Sequence, residues 1–464
     1  LGVRRGDRIL VALDNSLDSV VAFYGTLRAD CVPSLIGTGM KPRRLAQLVD
    51  QAEPSVLVAA RALDEHIAAA RAAATPPAHV FVAGPDARGK QSAERSLDDL
   101  LASAPKTRPP RASIELDLAT ICWTSGSTGE SKGVMLTHQN LRNSSAAIAA
   151  YLDHDERDVV LCVLPISHTY GLFQMLVTHW TGGTLVLEKG FSMPWPIVQK
   201  LEAHRVTGFA GVPTIYASIL SLKNLPSADL SALRYMTNAA YGLPAPQLLR
   251  LRELLPNVRF YAMYGQTECT RVCYLPPDLA LERPASVGIS FPNQEVWISR
   301  EDGTVAPRGE TGELVVRGPN VMRGYWRNPT ATARALRPGP IPGEVVLHTG
   351  DLFRLDEDGY LHFVARKDDV IKTRGEKVAP LEVEACICKL PGVVEVAVVG
   401  MPDPVLGVAV KAVVVKSPES ALTADDVRKH VRSELEEAAI PKVVEFADSL
   451  PKTSSGKVKK GELL

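Results

Sequence analysis

Residues 124–133, with the sequence TSGSTGESKG, are the densest group of residues that could bind phosphate. They directly follow an apolar run, residues 119–123. Small side chains let backbone N–H groups and hydroxyls close around phosphate oxygens, and Lys132 adds a positive charge. A Walker-type P-loop requires a preceding Gly and a following Ser or Thr, and neither Lys132 nor Lys457 meets that spacing. The segment is predicted to be a phosphate loop of another kind, with a flexible Ser/Gly loop as the alternative.

A second group of candidate residues lies in the sequence YAMYGQTE at residues 261–268. Tyr264 could stack on an adenine ring, and Thr267 could donate a hydrogen bond to a phosphate. Glu268 could hold Mg²⁺, which prefers oxygen ligands. Further on, Asp351 ends the sequence HTGD and could accept hydrogen bonds from two ribose hydroxyls. A purely structural role for the first segment and an ordinary turn for the second are the alternatives.

The elements that must position these residues alternate between strand and helix patterns over residues 8–261. Short β-branched runs, such as residues 159–163 and 184–187, are separated by helical patterns such as residues 245–255. This alternation is typical of a parallel sheet covered by helices. Residues 275–364 instead contain strand patterns separated by Asp-Gly turns, which predicts a β-rich subdomain.

The predicted fold class is therefore α/β, with a large N-terminal α/β domain of layered sheets that includes the β-rich subdomain. A small α+β C-terminal domain is predicted to follow it. The two predicted domains are residues 1–364 and residues 365–464. In the second domain, Thr423 is predicted to cap a helix, because Asp426 stands three residues later in the spacing of a capping box.

Composition restricts the class of protein. The chain has 464 residues, of which 45% are hydrophobic and 22% are charged, which excludes a disordered or fibrous chain. Because 52 basic residues balance 52 acidic ones, no bulk charge attracts nucleic acid or an anionic membrane. Seven scattered cysteines indicate reduced core thiols, and no apolar run reaches the roughly 20 residues of a membrane span. A cytoplasmic enzyme is expected, with an N-terminus that is trimmed because the chain opens without Met.

Together the motifs resemble the adenylate-forming (AMP-binding) superfamily, and in particular acyl-CoA synthetases of the fatty-acid–CoA ligase type. Five motifs in chain order carry the likeness: residues 124–133, 264–268, 349–351, 366–384 and 451–457. The resemblance implies an AMP-forming acid–thiol ligase. In such an enzyme a carboxylate attacks the α-phosphate of MgATP, pyrophosphate leaves, and the thiol of CoA then displaces AMP. The implied cofactors are ATP, Mg²⁺ and CoA, and the implied substrate is a small carboxylic acid.

The resemblance also implies roles for individual residues. The catalytic residues that it implies are Lys457, Thr267, Glu268 and His168. Lys457 would bridge the carboxylate and the α-phosphate as charge develops. The implied Mg²⁺ ligands are Glu268 and Thr128, and Asp368 would be the hinge of a mobile C-terminal domain. The implied nucleotide-binding residues are Thr124, Ser125, Gly126, Ser127, Thr128, Gly129, Lys132, Ala239, Ala240, Tyr264, Gly265, Asp351 and Arg366.

The acyl pocket is predicted to contain His168, Val212, Asn238, Tyr241 and Gly242. His168 matches the family's aromatic or His position beside the carboxylate, with a core histidine as the alternative. Asn238 and Tyr241 depart from the Gly- or Ala-rich run that is common in relatives, which leaves long-chain, medium-chain and aromatic acids open. No Asp is placed to pair with an α-ammonium group, so an amino acid is disfavoured. The apolar residues of the predicted wall favour a fatty or aryl acid.

Two alternatives to formation of a CoA ester stay open. The acyl group could pass to a carrier-protein thiol or to an amine, because CoA and carrier proteins share the phosphopantetheine arm. A binding protein that keeps the fold without turnover is disfavoured because Lys132, Glu268, Asp351, Arg366 and Lys457 are all present. The sequence predicts no binding of nucleic acid and no transmembrane segment.

Overall fold

The computed structural model describes residues 2–84, 95–107, 110, 112–125, 131–239, 243, 245–373, 376–404, 406–452 and 458–464. Packing divides the chain into two compact units. The first unit consists of Leu1–Glu295 and Val316–Leu347, and the second of Val296–Val315 and His348–Leu464. This partition differs from the predicted boundary at residue 365. The predicted boundary at residue 365 is the start of a mobile domain, which a partition by packing does not test, so it stays a prediction.

The first unit begins with a parallel sheet in the strand order β2-β1-β3-β4-β5. Its strands are β1 (Arg8–Ala12), β2 (Val32–Leu35), β3 (Val56–Ala60), β4 (His79–Ala83) and β5 (Arg95–Ser96). Its helices are α1 (Leu17–Arg28), α2 (Pro42–Ala52), α3 (Asp64–Arg71) and α4 (Leu97–Ser103). Leu10 on β1, Leu57 on β3 and Leu48 on α2 belong to one buried cluster. The core of this part therefore lies between the sheet and its helices.

A β-hairpin follows, formed by β6 (Leu118–Ser125) and β7 (Ser131–Thr137). Thr124 lies opposite Lys132, and Trp123 lies opposite Gly133. A Cβ atom at Gly133 would lie 2.8 Å from the side chain of Ile121, so only glycine fits this approach of the two strands. The predicted phosphate loop thus connects two antiparallel strands, whereas a P-loop connects a strand to a helix.

The second sheet of this unit has the strand order β14-β13-β12-β11-β10-β8-β9. Its strands are β8 (Val159–Cys162), β9 (Thr184–Leu187), β10 (Gly208–Gly211), β11 (Tyr235–Asn238), β12 (Arg259–Tyr264), β13 (Cys273–Tyr274) and β14 (Ile289–Ser290). Its helices are α5 (His138–Leu152), α6 (Thr169–Thr181), α7 (Pro194–Ala203), α8 (Pro213–Leu220) and α9 (Ala245–Leu254). Strands β8 to β12 are parallel, and β13 is antiparallel to β12. The strands predicted over residues 8–261 are therefore divided between two parallel sheets rather than one, with the hairpin between them in sequence.

The remaining elements continue into the second unit. In chain order they are β15 (Glu295–Ser299), β16 (Thr311–Arg317), β17 (Gly324–Tyr325), α10 (Pro329–Ala335), β18 (Leu336–Pro338), β19 (Val345–Leu355), β20 (Leu361–Arg366), β21 (Ile371–Thr373), β22 (Glu376–Val378), α11 (Pro380–Ile387), β23 (Val393–Asp403), β24 (Gly407–Lys416), α12 (Ala424–Glu434) and β25 (Val443–Phe446). In the first unit, β17 pairs with β7, which places Tyr325 opposite Val134. In the second unit, β20 pairs with β19 and the sheet β23-β24-β25 packs on α11 and α12.

These elements confirm the predicted α/β class with layered sheets. The capping box at α12 is also confirmed, because the Thr423 hydroxyl accepts a hydrogen bond from the Asp426 amide. The cysteines agree with the prediction of core thiols except at Cys388, which is exposed. Among the residues that the structure describes, no helix is long and apolar enough to cross a bilayer.

Candidate active site

The carboxyl ends of β10, β11 and β12 bring several predicted residues of the first unit to one edge of the second sheet. Val212 follows β10, Asn238 ends β11, and Tyr264 ends β12. Gly211 lies opposite Asn238, and Asn238 lies opposite Ala262, so the three strand ends are in register. Ligands of open α/β sheets bind at this edge, because the connecting loops leave a crevice there.

The predicted acyl wall is built around two tyrosine hydroxyls that sequence analysis did not single out. His168 is the N-cap residue of α6, which places Tyr170 in the first turn of that helix. The Tyr170 hydroxyl donates to the Thr237 carbonyl at 2.9 Å, and the Tyr216 hydroxyl donates to the same carbonyl at 2.5 Å. Burial raises the pKa of Tyr170 well above its usual range, so this hydroxyl stays neutral. Helices α6 and α8 are thereby held to the end of β11, next to the buried Asn238.

The turn after β12 carries the predicted aromatic, hydroxyl and carboxylate residues. Tyr264 ends the strand, and Thr267 and Glu268 lie in the turn that follows. A Cβ atom at Gly265 would lie 2.5 Å from the Thr270 carbonyl oxygen, so only glycine permits the chain to double back here. The turn therefore holds Tyr264 and Glu268 in a fixed relation.

Tyr325 connects the predicted carboxylate with the predicted phosphate-binding lysine. Its hydroxyl donates to Glu268 Oε1 at 2.7 Å, and Lys132 Nζ lies 5.4 Å from the centre of its ring. Tyr325 is 8% exposed and sits on β17, which pairs with the strand that carries Lys132. The structure thus brings Lys132 and Glu268 to one aromatic ring. Sequence analysis missed Tyr325, whose one signal is the aromatic pair that follows Gly324.

A second basic residue, Arg44, contacts the hairpin of β6 and β7 next to the predicted phosphate loop; this hairpin is called the phosphate hairpin below. Arg44 on α2 donates from Nη2 to the Ser131 hydroxyl at 2.9 Å. Thr124 Oγ1 lies 3.4 Å from the Lys132 carbonyl oxygen, across the hairpin. Both contacts stabilise the first residue pairs below the loop. The predicted residues Gly126, Ser127, Thr128 and Gly129 lie outside the described residues.

The predicted ribose-binding residues form an ion pair in the second unit. Arg366 Nε lies 2.9 Å from Asp351 Oδ1, and the two residues are directly opposite on β19 and β20. Asp351 is 2% exposed, whereas the side chain of Arg366 is 49% exposed. The pair is therefore anchored at its carboxylate end and open at its guanidinium end.

A second carboxylate, Glu313 on β16, lies in the same unit and was not predicted. It accepts hydrogen bonds from the Gly350 amide at 3.0 Å and from Lys367 Nζ at 3.1 Å. Burial raises the pKa of Glu313, but its bonds to His348, Lys367 and Gly350 outweigh that effect and lower the pKa to about 2. Glu313 therefore holds the part of β19 that directly precedes Asp351, where the sequence predicted a tight turn and the structure has a strand.

Comparison with known proteins decides the family. A family model described as AMP-binding enzyme matches residues 1–326, and one described as AMP-binding enzyme C-terminal domain matches residues 382–457. The chain belongs to the AMP-binding enzyme family. This confirms the predicted resemblance.

Relatives of this AMP-binding enzyme include ligases that form CoA esters. It is 39% identical over 358 residues to a feruloyl-CoA synthase from Amycolatopsis sp, a match that covers 76% of this chain and 71% of the relative. It is 32% identical to a long-chain-fatty-acid–CoA ligase from Escherichia coli O6:H1, covering 100% of this chain and 86% of the relative. The crystal structure of ATP-bound MatB from Rhodopseudomonas palustris superposes with a TM-score of 0.90 at 33% identity, covering 100% of this chain and 89% of that one.

These relatives identify the activity at the level of the reaction. The chain is an AMP-forming acyl-CoA synthetase that uses ATP and CoA. The predicted enzyme class is therefore confirmed. The roles of individual residues are not decided by the comparison.

The remaining predicted site residues are placed as follows. Ala239 is buried directly after β11, and Asp368 is exposed in the turn that follows β20. The predicted residues that lie outside the described part of the chain are Ala240, Tyr241, Gly242 and Lys457. Within the described part, no group of three or more His, Cys, Asp or Glu side chains that could hold a metal ion occurs.

Proposed function

We propose that this acyl-CoA synthetase activates a fatty or aryl carboxylic acid at the carboxyl edge of the second sheet of its first unit. The observation that supports this most is the arrangement of Lys132, Tyr325 and Glu268, which joins a phosphate-binding cation to a carboxylate through one ring. The acyl wall around Tyr170 and Tyr216 lies at the ends of neighbouring strands. One crevice can therefore hold the triphosphate and the acid together.

The nucleotide is proposed to lie between the phosphate hairpin and the turn after β12. Lys132, together with the loop of residues 126–130, would bind the β- and γ-phosphates, and Tyr264 would stack on adenine. Thr267 would donate to the α-phosphate as charge moves onto the leaving pyrophosphate. Asp351 would accept from the ribose hydroxyls, with Arg366 holding its carboxylate in place.

Mg²⁺ is a proposed cofactor that Glu268 suits chemically. Mg²⁺ is commonly bound by one or two carboxylates and by phosphates of the substrate. Glu268 presents a carboxylate that accepts from a neutral hydroxyl, and no ion pair to it is recorded among the described residues. Its charge is therefore available to a cation, and Thr128 is proposed to add a second oxygen. When bound, the metal would neutralise charge on the phosphates.

The acid is proposed to enter beside His168, with its tail toward Val212 and Asn238. The half-buried Tyr170 contributes an apolar ring to this wall, and its hydroxyl and that of the fully buried Tyr216 are bonded to the Thr237 carbonyl. An aromatic wall suits both an aryl ring and an alkyl chain. This agrees with the names of two relatives, which are a feruloyl-CoA synthase and a long-chain-fatty-acid–CoA ligase.

The predicted C-terminal domain, residues 365–464, is proposed to serve both half-reactions by turning about Asp368. Asp368 is exposed and lies in the turn between β20 and β21, where hinge residues are commonly found. Lys457 would stabilise the transition state of adenylate formation, and its withdrawal would open the path for CoA. The predicted cytoplasmic location and a carrier-protein acceptor stay predictions beside this proposal.

Exchange of labelled pyrophosphate into ATP tests the proposal. A panel of fatty and aryl acids is offered with Mg²⁺, and at least one acid is expected to support exchange. Lys457→Ala should lower the exchange rate by about 100- to 1,000-fold, while thioester formation from supplied acyl-adenylate and CoA is retained. Lys459→Ala is the matched control, because Lys459 pairs with Glu462 near the end of the chain. Equal loss of both half-reactions in Lys457→Ala would refute the assigned role.

The acceptor is tested in the same preparation. AMP release is measured with the acid, ATP and one of three acceptors: CoA, a holo carrier protein or a primary amine. CoA is expected to give the fastest release. A faster rate with either of the other acceptors would make that acceptor the substrate of the second half-reaction.

A further inference from the structure

Arg271 is a buried cation that the proposed mechanism does not use. It follows Glu268 by three residues, at the end of the turn after β12, and is only 4% exposed. Its guanidinium lies 5.3 Å from the centre of the Tyr170 ring. Arg271 therefore reaches from the turn that carries the nucleotide-binding residues to the aromatic wall of the proposed acyl site.

The guanidinium of Arg271 has no anionic partner in the described part of the chain. Its Nε atom is buried and has no hydrogen-bond acceptor, and no ion pair to the guanidinium is recorded there. Glu268, the nearest carboxylate in sequence, accepts from Tyr325 instead. The Arg271 backbone is satisfied, since its carbonyl accepts from Asn320. The unmet hydrogen-bonding capacity thus belongs to the side chain alone.

The surroundings of Arg271 are aromatic and apolar. Tyr151 stacks on Tyr274 with ring centres 4.2 Å apart, and the Tyr151 hydroxyl donates to Met263. Burial raises the pKa of Tyr151 to about 12, against a smaller lowering by the charge of Arg271. Both tyrosine hydroxyls near Arg271 are therefore neutral.

A buried guanidinium without a counter-ion is costly. Transfer of an ion from water into a protein interior is unfavourable even after relaxation, and the attraction to an aromatic face offsets only part of that cost. Arginine cannot avoid this cost by losing its proton. An anionic group of a ligand would offset it, with two parallel hydrogen bonds to the guanidinium fork.

We propose that Arg271 binds a second carboxylate, carried by the tail of the acid substrate. The inference rests on the proposed function, and it narrows the substrate to a dicarboxylic acid with an apolar or aryl middle. The reacting carboxyl group lies beside His168, the middle of the acid packs on Tyr170, and the remote carboxylate pairs with Arg271. The charge of Arg271 therefore acts on specificity, while adenylate formation occurs at the other end of the substrate.

Matched pairs of acids test this assignment. Pyrophosphate exchange is measured with octanoate against octanedioate, with 4-methylbenzoate against terephthalate, and with monoacids and diacids of four to twelve carbons. The wild-type chain should show a kcat/KM at least tenfold higher for the best diacid than for its matched monoacid. Arg271→Leu should lower kcat/KM for that diacid by at least 30-fold, because it removes one partner of a buried charge pair. The same variant should keep or raise kcat/KM for monoacids.

Two further variants separate pairing from packing. Arg271→Lys keeps the charge without the fork and should lie between the wild type and Arg271→Leu. Arg250→Leu is the control, because Arg250 is exposed and pairs with Glu253 on α9. It should leave the diacid preference unchanged. If Arg271→Leu fails to fold, the acid preference of the wild type and Arg271→Lys decides the proposal.

The outcomes also separate this inference from the proposed function. Exchange with monoacids but with no diacid, or an unchanged preference in Arg271→Leu, would overturn the role of Arg271 and leave the acyl-CoA synthetase intact. Exchange with no acid at all would overturn the proposed function. Thermal unfolding gives a readout without turnover. The best diacid should raise the Tm of the wild type but not that of Arg271→Leu, and an equal shift in both would contradict the pairing.

Discussion

The two units hold the carboxylates described above in opposite ways. In the first unit, Glu268 accepts from the neutral hydroxyl of Tyr325, and Lys132 lies over the ring of that tyrosine rather than against the carboxylate. In the second unit, Asp351 pairs with Arg366, and Glu313 is bonded to Lys367 and faces His348. One carboxylate keeps its charge available, and the other two are neutralised by the protein.

The two arrangements suit different roles, one in the reaction and the other in the stability of the fold. A carboxylate held by a hydroxyl can bind a metal ion without first breaking an ion pair. A carboxylate held by cations, as Glu313 is on β16, contributes instead to the stability of the strands it joins, because its charge is already compensated. We therefore expect substitutions in the first unit to change activity, and substitutions at Glu313 to change stability first.

Glu268→Gln is expected to have the largest effect, and to act on activity rather than on stability. The amide keeps the acceptor for Tyr325 but removes the charge, so kcat/KM in pyrophosphate exchange should fall by about 100-fold or more. The Tm should move little, since no ion pair is lost. The fall should become smaller as the Mg²⁺ concentration rises. A lowered Tm together with unchanged exchange would show that Glu268 is structural.

Glu313→Gln should lower stability with a defined pH dependence. The pKa of Glu313 is about 2 in the folded chain, below the ordinary value of 4.5, so the carboxylate stabilises the fold above about pH 4.5. That contribution, about 3 kcal/mol, is lost as the pH falls from 4.5 towards 2. The Tm difference between wild type and Glu313→Gln should therefore be largest near pH 7 and shrink below pH 4.5. Glu357→Gln, at an exposed position, is the control, and a pH-independent difference would contradict this account.

Tyr325→Phe should give the smallest effect on activity. It measures what the Tyr325 hydroxyl contributes to activity. The ring stays under Lys132, while one hydrogen bond to Glu268 is lost, at a cost of about 1 kcal/mol. Exchange should fall by about five- to tenfold, with a higher Mg²⁺ requirement. Loss of activity as large as that in Glu268→Gln would mean that the hydroxyl itself contacts the substrate.

Local features of this fold followed from the sequence where neighbouring residues decide them. The strand Thr184–Leu187 and the cap of α12 by Thr423 agree with their predictions because periodicity and capping are local properties. The order of the motifs identified the family. The division of the βα pattern into two sheets did not follow from the sequence, because no local signal states which strands pair.

The site was predictable only where a motif marks it. Glu268 and Asp351 stand in recognisable segments, whereas Tyr325 reaches Glu268 across 57 residues through the pairing of β17 with β7. Glu313 likewise meets Lys367 from 54 residues away. Arg271 stands beside a motif, but only the three-dimensional structure shows that no anionic group pairs with it among the described residues. Such partners depend on tertiary register, which composition and spacing do not encode.

Gly265 gives the turn after β12 a consequence for how this enzyme can be altered. Because the chain returns to within contact of its own start, residues 264–271 carry both the ring of Tyr264 that is proposed to stack on adenine and the guanidinium of Arg271 that is proposed to bind the acid. A bulkier residue at this point would push Thr270 and Arg271 outward and shift Tyr264 with them. We therefore expect selectivity for the acid and affinity for the nucleotide to change together when this turn is altered. A substitution that enlarges the acid site here should also change the affinity for the nucleotide.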